Sequence, residues 1–507
     1  MKKSFYLLMS AAVLLLFAAG CAKDIPVEQV SVEPQEVTLA LGESVILSVT
    51  VLPEDADYEL AFSSNNEEVA TVSAEGEVEA LAEGEAVITV KAGSLSATCA
   101  VTVIIPTLEV SPSLEELVFE GVRTRTQEFA VTTTATEWTA EPDADWIGIE
   151  YTDGGFVVTA AANISMKQAR EGNVTVSAEG YESVVIPVKQ AEMKMYIGGN
   201  DNSTACYWLN GEQISIVGDG WVGASWVTDI YVEKDGTVHC AGREGLAASF
   251  AAYWSEEMGW NMFQPYSNCN GNANGVTVDE ETGDVYVSAY HYFQNADWTQ
   301  TTVSGYHKNM TWYPLTNEEV GYSQSGAIAF QDGNLYMVLQ ESGAWYYLVN
   351  DERHELDYLG EGNYPSCMFV KGEDVYVGGW YLTQDGGEYI YAPCYWKNGE
   401  GVELALEYGC PYDIYVDEED NVWLAGSKGP GLDRCAAYWK NNEPSVDVSS
   451  YANGCAVSID VIDGNIIIAG FEGAYPGNSV LKYWINGEET AISDGSTSCA
   501  GEATVII

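Results

Sequence analysis

A chain of 507 residues is long enough for about three domains, each with its own core. With 47% hydrophobic and 12% aromatic residues it is not a disordered chain, and 50 Gly, 32 Tyr and 15 Trp favour short strands and tight turns, so the expected class is all-β. Lys+Arg number 20 against 76 Asp+Glu, a net charge of -56, which excludes nucleic acid and polyphosphate partners, disfavours strongly anionic polysaccharides unless a cation bridges, and leaves neutral ligands open.

The N-terminus reads as an export signal. Lys2 and Lys3 precede an apolar run from Phe5 to Ala19, too short for a stable membrane span, followed by Gly20-Cys21. The stretch Phe17-Ala18-Ala19-Gly20-Cys21 resembles a bacterial lipobox, with Ala18 where Leu is usual. The resemblance implies removal of residues 1–20 and diacylation of Cys21, so that a lipid anchor alone holds the protein to a membrane. An ordinary secretory signal with Cys21 as a bystander is the alternative. Lys23-Asp24 resembles an outward-sorting signal, so the expected location is the outer membrane, exposed at the cell surface.

Eleven cysteines in an exported chain suggest disulfides, yet their placement argues for free thiols. Cys99 alternates with Val101 and Val103 on one strand face, and Cys410, Cys455 and Cys499 fall at matching points of a repeat. No CxxC or His/Cys cluster suggests zinc, so no metal site is expected from these residues.

Residues 21–105 alternate apolar and polar positions between turn signals, as in Ala86-Val87-Ile88-Thr89-Val90, which predicts a β-sandwich. Leu41-Gly42, Val51-Leu52-Pro53, Phe62-Ser63-Ser64, Val69-Ala70-Thr71-Val72, Gly76, Val78, Ala80 and Gly84 resemble the bacterial Ig-like group 2 family. Residues 106–191 predict a second sandwich. There Phe129-Ala130-Val131, Trp138, Asp145-Trp146-Ile147, Asn163, Arg170, Gly172 and Gln190-Ala191 resemble the BACON domain. That family accompanies glycan-degrading systems of gut bacteria, and its name carries a carbohydrate-binding suggestion. Trp138 and Trp146 could be sugar platforms, but so small a sandwich needs large aromatics for its core. Both modules are read as spacers.

Residues 192–507 repeat. An aromatic pair recurs at Tyr207-Trp208, Tyr253-Trp254, Tyr395-Trp396, Tyr438-Trp439 and Tyr483-Trp484, with weaker copies at Tyr306-His307 and Tyr346-Tyr347. A period in the forties with four short strands a to d per unit predicts propeller blades. Asp235-Gly236, Asp332-Gly333 and Asp463-Gly464 supply tight a-b turns; Asn210-Gly211, Asn398-Gly399 and Asn486-Gly487 supply c-d turns. The repeat opens with strands b, c and d only and ends on a lone strand, Ala503 to Ile507, so the expectation is a seven-bladed β-propeller closed by its N- and C-terminal strands.

With both tight turns at one face, the b-c and d-a connections form the other. They are long and rich in aromatics and amides, including Trp221, Trp226, His291, Trp298, Trp380, Tyr381, Tyr389 and Tyr475. Aromatic planes stack on the C–H face of a sugar while amides and carboxylates take its hydroxyls. These eight residues are the candidate ligand contacts, whereas Tyr266, Tyr322, Tyr364, Tyr408 and Tyr451 recur in register and read as packing between blades. No nucleophile elbow, phosphate loop or metal motif appears, and no carboxylate pair stands out, so no catalytic residue is named. Asp229, Asp413 and Glu502, converging with Ser458 at the channel, could take Ca²⁺ through oxygens, but a solvated channel rim is the preferred reading. The expected function is non-catalytic binding of a neutral polysaccharide or oligosaccharide by a surface lipoprotein, with outer-membrane glycan-uptake proteins as the partners the BACON resemblance implies. A polysaccharide hydrolase or lyase at the same face, and a protein-protein adhesion or scaffold role, are the alternatives.

Overall fold

The computed structural model describes residues 25–506 except 120, 218–222, 246–248, 268, 295–298, 318–321, 451–452, 474–478 and 496–498, and no side chain of 499–502. Cys21, Trp221, Trp298, Tyr451 and Tyr475 therefore lie outside the described residues, as does the side chain of Glu502. Every regular element described is a β-strand, as the composition predicts. Contacts divide the chain into two compact units: residues up to Glu116 with Gln127–Val158 and Gly172–Pro187, and Leu117–Thr126 with Thr159–Glu171 and Val188–Ile507.

In the first unit the Ig-like segment forms three sheets. The largest runs Glu36–Ala40, Leu95–Ile104, Gly84–Ala92, Leu60–Ser64, its first pair parallel. Strict alternation turns Ala86, Ile88 and Val90 of one strand and Cys99, Val101 and Val103 of the next into a common core. Burial pushes the Cys99 thiol up, so it packs there as a small hydrophobe. In the second sandwich Phe129 stacks on Phe156, with ring centroids 5.3 Å apart, and Trp138 leans on Phe156 at 5.9 Å and Tyr151 at 5.5 Å. Trp138 thus packs against the aromatic core of its sandwich.

The second unit contains seven open, four-stranded antiparallel sheets. Sheet 1 orders its strands a to d as Cys499–Ile506, Met195–Asp201, Thr204–Leu209 and Glu212–Ser215, the C-terminal strand pairing with the first strand of the repeat. Sheet 2 comprises Ser225–Val232, Val238–Glu244, Phe250–Ser255 and Gly259–Met262; sheet 3 comprises Asn270–Asp279, Asp284–Gln294, Gln300–Lys308 and Thr311–Pro314. Sheet 4 comprises Ser323–Gln331, Asn334–Glu341, Ala344–Val349 and Glu352–Glu355; sheet 5 comprises Gly362–Lys371, Asp374–Asp385, Glu388–Lys397 and Glu400–Glu403. Sheet 6 comprises Gly409–Val416, Val422–Lys428, Cys435–Lys440 and Val446–Asp447; sheet 7 comprises Cys455–Ile462, Asn465–Gly473, Ser479–Ile485 and Glu488–Ala491. Strand a of each sheet touches strand a of the next, and strand a of sheet 7 touches that of sheet 1.

The aromatic repeat lies between the sheets. Trp396, Trp439 and Trp484 are among the largest fully buried side chains. In sheet 4 the matching pair is Tyr347-Leu348, one residue later than the expected Tyr346-Tyr347, because Tyr347 and Leu348 face Val338 and Met337 as Trp396 faces Val377. Cys240, Cys269, Cys367, Cys394 and Cys410 are free thiols. Residues Leu117–Thr126 and Thr159–Glu171, expected within 106–191, pack with the seven sheets. Val122, Ile164 and Met166 join a core with Met195, Ile197 and Trp208. Arg123 donates from Nη2 to Asp460 Oδ1 at 2.7 Å and from Nη1 to Val461 O at 3.0 Å.

One turn device recurs. Asn210, Asn309, Asn350, Asn398, Asn441 and Asn486 all adopt positive φ at the c-d turn of their sheets. Each places its Oδ1 2.8 to 3.0 Å from the N–H of the first core residue of strand b: Met195, Val285, Leu335, Val375, Val422 and Ile466. Left-handed backbone is cheap only for Gly and, less so, Asn or Asp, which is why Asn-Gly recurs. Sheet 2 alone lacks it, with Glu256-Glu257-Met258 between Ser255 and Gly259. The a-b turn at Asp235-Gly236 is also longer than the expected two-residue hairpin. Glu233 pairs with Thr237, and only Gly236 of that turn has positive φ.

Asn398→Ala should lower stability by about 1–3 kcal/mol, because it strands the Val375 N–H and places a Cβ residue in left-handed backbone. Asn398→Gly, which also loses the acceptor but suits left-handed backbone, should cost clearly less than Asn398→Ala. Urea unfolding midpoints separate the two, and equal losses would show that the left-handed backbone adds nothing to the cost.

Candidate functional site

The a strands share a β-bulge at one depth. Register shifts fall at Val227/Asp229, Ala273/Gly275, Ser325/Ile328, Pro365/Cys367, Pro411/Asp413 and Ala456/Ser458, and in sheet 1 opposite Gly198/Gly199. A bulge sets two residues against one and re-aims their side chains. Here they bond sideways. Thr228 Oγ1 donates to Ala273 O at 2.7 Å, Asn274 Nδ2 to Ser325 O at 2.6 Å, and Ser366 Oγ to Pro411 O at 2.7 Å, each in the next sheet.

Asp229 and Asp413 follow the bulge and do the same with carboxylates. Asp229 accepts from Ile230 N at 2.9 Å and from Val276 N of sheet 3 at 2.8 Å; Asp413 accepts from Ile414 N at 2.8 Å and Ile459 N of sheet 7 at 2.9 Å. They are clamps between sheets, not the solvated rim or Ca²⁺ ligands weighed from sequence. Burial drives Asp229 up to about 7 and Asp413 up to about 6, against the pull of the N–H groups they accept. Among the described residues no three His, Cys, Asp or Glu side chains gather as a metal site.

At the end of the sheets beyond the bulge, two of the long connections are ribbons rather than loops. Strands 5b and 5c stay paired from Trp380↔Pro393 out to Asp385↔Glu388, closed by Gly386-Gly387 at positive φ. Strands 3b and 3c stay paired from Tyr290↔Ser304 to Gln294↔Gln300. Both connections were expected as loops. Alternating Tyr, Thr, Ile and Gln are good strand formers, and in sheet 5 paired glycines close the turn, so extending the hairpin satisfies backbone groups that a loop would leave to water.

One residue outward from the bulge, cross-strand partners form an aromatic and polar layer. The pairs are Trp226↔Arg243, Asn272↔Tyr290, Gln324↔Gln340 and Tyr364↔Trp380. Arg243 lies over the Trp226 ring, 4.4 Å from its centroid, and Asn272 Nδ2 donates to Tyr290 Oη at 2.5 Å. Aromatic side chains cluster between sheets 5 and 6. Tyr364 and Trp380 stack nearly parallel, 6.0 Å apart at 11°. Tyr391 meets Tyr364 edge-on at 5.7 Å, Tyr412 meets Trp380 at 5.7 Å, and Tyr408 meets Tyr391 at 5.8 Å. Tyr364 is 39% exposed, and Trp380, Tyr391, Tyr408 and Tyr412 are each half-buried. These aromatic faces, flanked by Glu361, Gln384 and Arg434, form a stacking surface with hydrogen-bonding groups at its edge.

The expected contacts divide accordingly. Trp380 and Trp226 sit in this layer, and Tyr389 stands 56% exposed near the tip of the sheet 5 ribbon. Tyr381 does not: strand alternation turns it to the opposite face from Trp380, where it is 4% exposed in the core shared with Trp345 and Tyr347. His291 is fully buried, its Nε2 3.0 Å from His307 Nε2 and its ring 4.6 Å from Trp312. Burial lowers its pKa to about 4 and that of His307 to about 3, so both are neutral packing groups at pH 7. Both residues leave the candidate set for the same reason: their rings face the core. Tyr364, Tyr391, Tyr408 and Tyr412 enter it. Repetition in register had assigned Tyr364 and Tyr408 to packing; the parity of Tyr364 against the Trp380 strand was the signal that places it outside.

Residues 26–103 match the family model of the bacterial Ig-like domain (group 2), and residues 136–191 match BACON, described as "Putative binding domain, N-terminal". The chain thus carries an Ig-like domain followed by a BACON domain. No curated protein matches it. Among solved structures it is similar to a Bacteroides ovatus GH5 xyloglucanase in complex with a XXXG heptasaccharide, at 29% identity over 17% of this chain and 19% of that one, with a TM-score of 0.16. It is similar to S-layer protein SbsC domains 5-6, at 17% identity over 32% and 97%, TM-score 0.15. A DUF4784 family protein from Bacteroides caccae aligns at 9% identity over 79% and 98%, TM-score 0.24. The chain spans about a fifth of the xyloglucanase, and none of these likenesses extends to a shared overall fold.

The raised carboxyls make stability depend on pH. A carboxyl at about 7 in the folded chain and ~3.9 unfolded holds its proton more tightly when folded, so its contribution is complete below about pH 4 and is lost as pH rises toward 7. Asp229→Asn should flatten that fall, seen as a smaller drop in urea midpoint between about pH 5 and about pH 7.5 than in the parent. An unchanged drop would remove Asp229 as its source.

Proposed function

We propose that the seven sheets are the blades of a seven-bladed β-propeller and that this propeller binds a neutral glycan, without cleaving it, on the Tyr364–Trp380 surface. In this reading the chain is a lipoprotein, anchored at Cys21 to the outer membrane and exposed at the cell surface. Its Ig-like and BACON domains serve as spacers, and it works beside outer-membrane proteins of glycan uptake. The observation that carries the binding assignment is the stacked Tyr364–Trp380 pair with Tyr391, Tyr408 and Tyr412 around it. Partly open aromatic faces on rigid strands suit the apolar face of a pyranose, and they are held without ordering cost on binding. The net charge of -56 repels anionic polymers and leaves neutral ones unaffected. The BACON match supports a glycan-related role at the surface.

Binding to an array of neutral glycans, followed by calorimetry on the best ligand, tests this. Trp380→Ala and Tyr364→Ala should each weaken binding by about ten-fold or more, with melting temperature little changed for the exposed Tyr364 and moderately lowered for the half-buried Trp380. Unaltered affinity in both variants would move the site elsewhere. New reducing ends released by the parent protein would replace the binder with a hydrolase, and silence across the array would favour a protein partner.

A further inference from the structure

Sheet 2 breaks the repeat three times at the end opposite the aromatic layer, and all three breaks meet at one cavity. In sheets 3, 5 and 6 the residue after the Asn-capped position of strand b is an aromatic capped by a Lys that is its cross-strand partner in strand c: Tyr286 with Lys308, Tyr376 with Lys397, Trp423 with Lys440. The ammonium lies 5.1, 5.0 and 4.8 Å from the ring centroid. In sheet 2 the same two positions are His239 and Ser255. The Asn-capped turn is replaced there by Glu256-Glu257-Met258. Facing it, sheet 3 has His307 where sheets 5, 6 and 7 have the buried Trp of the repeat.

His239, Ser255 and His307 are each smaller than the aromatic, Lys and Trp that stand at the matching positions, and the space is not refilled. A cavity of about 430 Å³ remains, walled by His239, Tyr253, Ser255 and Phe263 of sheet 2 and His307 and Met310 of sheet 3. No Lys or Arg lines it, while Glu233, Glu257 and Met258 do. A hydrogen-bonded chain fixes one carboxylate in place. Glu233 Oε1 is 2.7 Å from His239 Nε2, and His239 Nδ1 is 2.7 Å from Tyr253 Oη. With Nε2–H donating to Glu233, the Tyr253 hydroxyl donates to Nδ1, and its oxygen, which also meets the Ser255 hydroxyl, keeps one lone pair for an incoming donor.

We propose that this cavity is a second binding site, for a compact organic ammonium ion. Its N–H groups are held by Glu233, Glu257 and Tyr253, and its carbon skeleton rests on Met258, Phe263 and Met310. Carboxylates with no Lys or Arg beside them in the cavity select positive charge, methionines adapt to an irregular apolar body, and the acidic surface of the whole chain draws cations inward. The site is independent of the glycan surface and stands or falls without it.

The test uses three probes of one shape: cyclohexylmethylamine, cyclohexylmethanol and cyclohexanecarboxylate, titrated calorimetrically into the full chain. The amine should bind saturably and the alcohol and carboxylate at least about ten-fold more weakly. Ser255→Lys installs the residue that sheets 3, 5 and 6 carry in this register, so it should abolish amine binding with the melting temperature preserved. Glu233→Gln should weaken binding by about ten-fold, and Trp380→Ala should leave it unchanged. Equal binding of alcohol and amine, retained binding in Ser255→Lys with its fold intact, or no saturable binding up to about 10 mM would overturn the proposal.

Discussion

At four of the seven junctions between sheets, the first strands bond sideways at a shared bulge. A regular strand directs its N–H and C=O groups only to partners within its own sheet, leaving nothing to fix one sheet against the next except packing. The bulge breaks that symmetry. Thr228, Asn274 and Ser366 turn a side-chain donor onto a carbonyl of the following sheet, while Asp229 and Asp413 reach across to backbone N–H groups there. These carboxylates are expensive to desolvate, which is why their pKa values rise; two N–H donors apiece keep the arrangement tolerable.

With the first strands fixed, the two ends of the sheets diverge in character. At one end Asn at positive φ ties the c-d turn to strand b in six sheets, so little can vary there without loss of that hydrogen bond. At the other end no such device recurs among the described residues; Asn453, at positive φ, bonds Gly473 O and Arg434 between sheets 6 and 7. Strands run on past the core as ribbons in sheets 3 and 5, and their side chains alternate between a neighbour's core and open surface. Tyr381 and Trp380 show the consequence: adjacent in sequence, one is locked among Trp345 and Tyr347 while the other stacks in the open with Tyr364.

Departures from the repeat mark where packing has given way to something else. His291 and His307 replace bulk with a neutral, mutually hydrogen-bonded pair, stabilised by the aromatic contacts of Phe263 and Trp312. His239 and Ser255 do not refill the volume they give up. The same positions in sheets 3, 5 and 6 show what a filled version looks like, so the cavity reflects these residues and not a general looseness of the fold.

The strand class, the two N-terminal modules and the four-strand period were legible in the chain alone, because alternation, Asn-Gly turns and the Tyr-Trp pair are local signals that any strand of this kind must obey. Which rings reach the surface was not. Repetition in register suggested that Tyr364 and Tyr408 were packing, and residue type suggested that His291 and Tyr381 were contacts. Whether an aromatic side chain faces a core or solvent depends on strand parity past the bulge and on which sheet stands beside it. Both are set by pairings between residues far apart in sequence, so local composition decides the element and the tertiary structure decides the face.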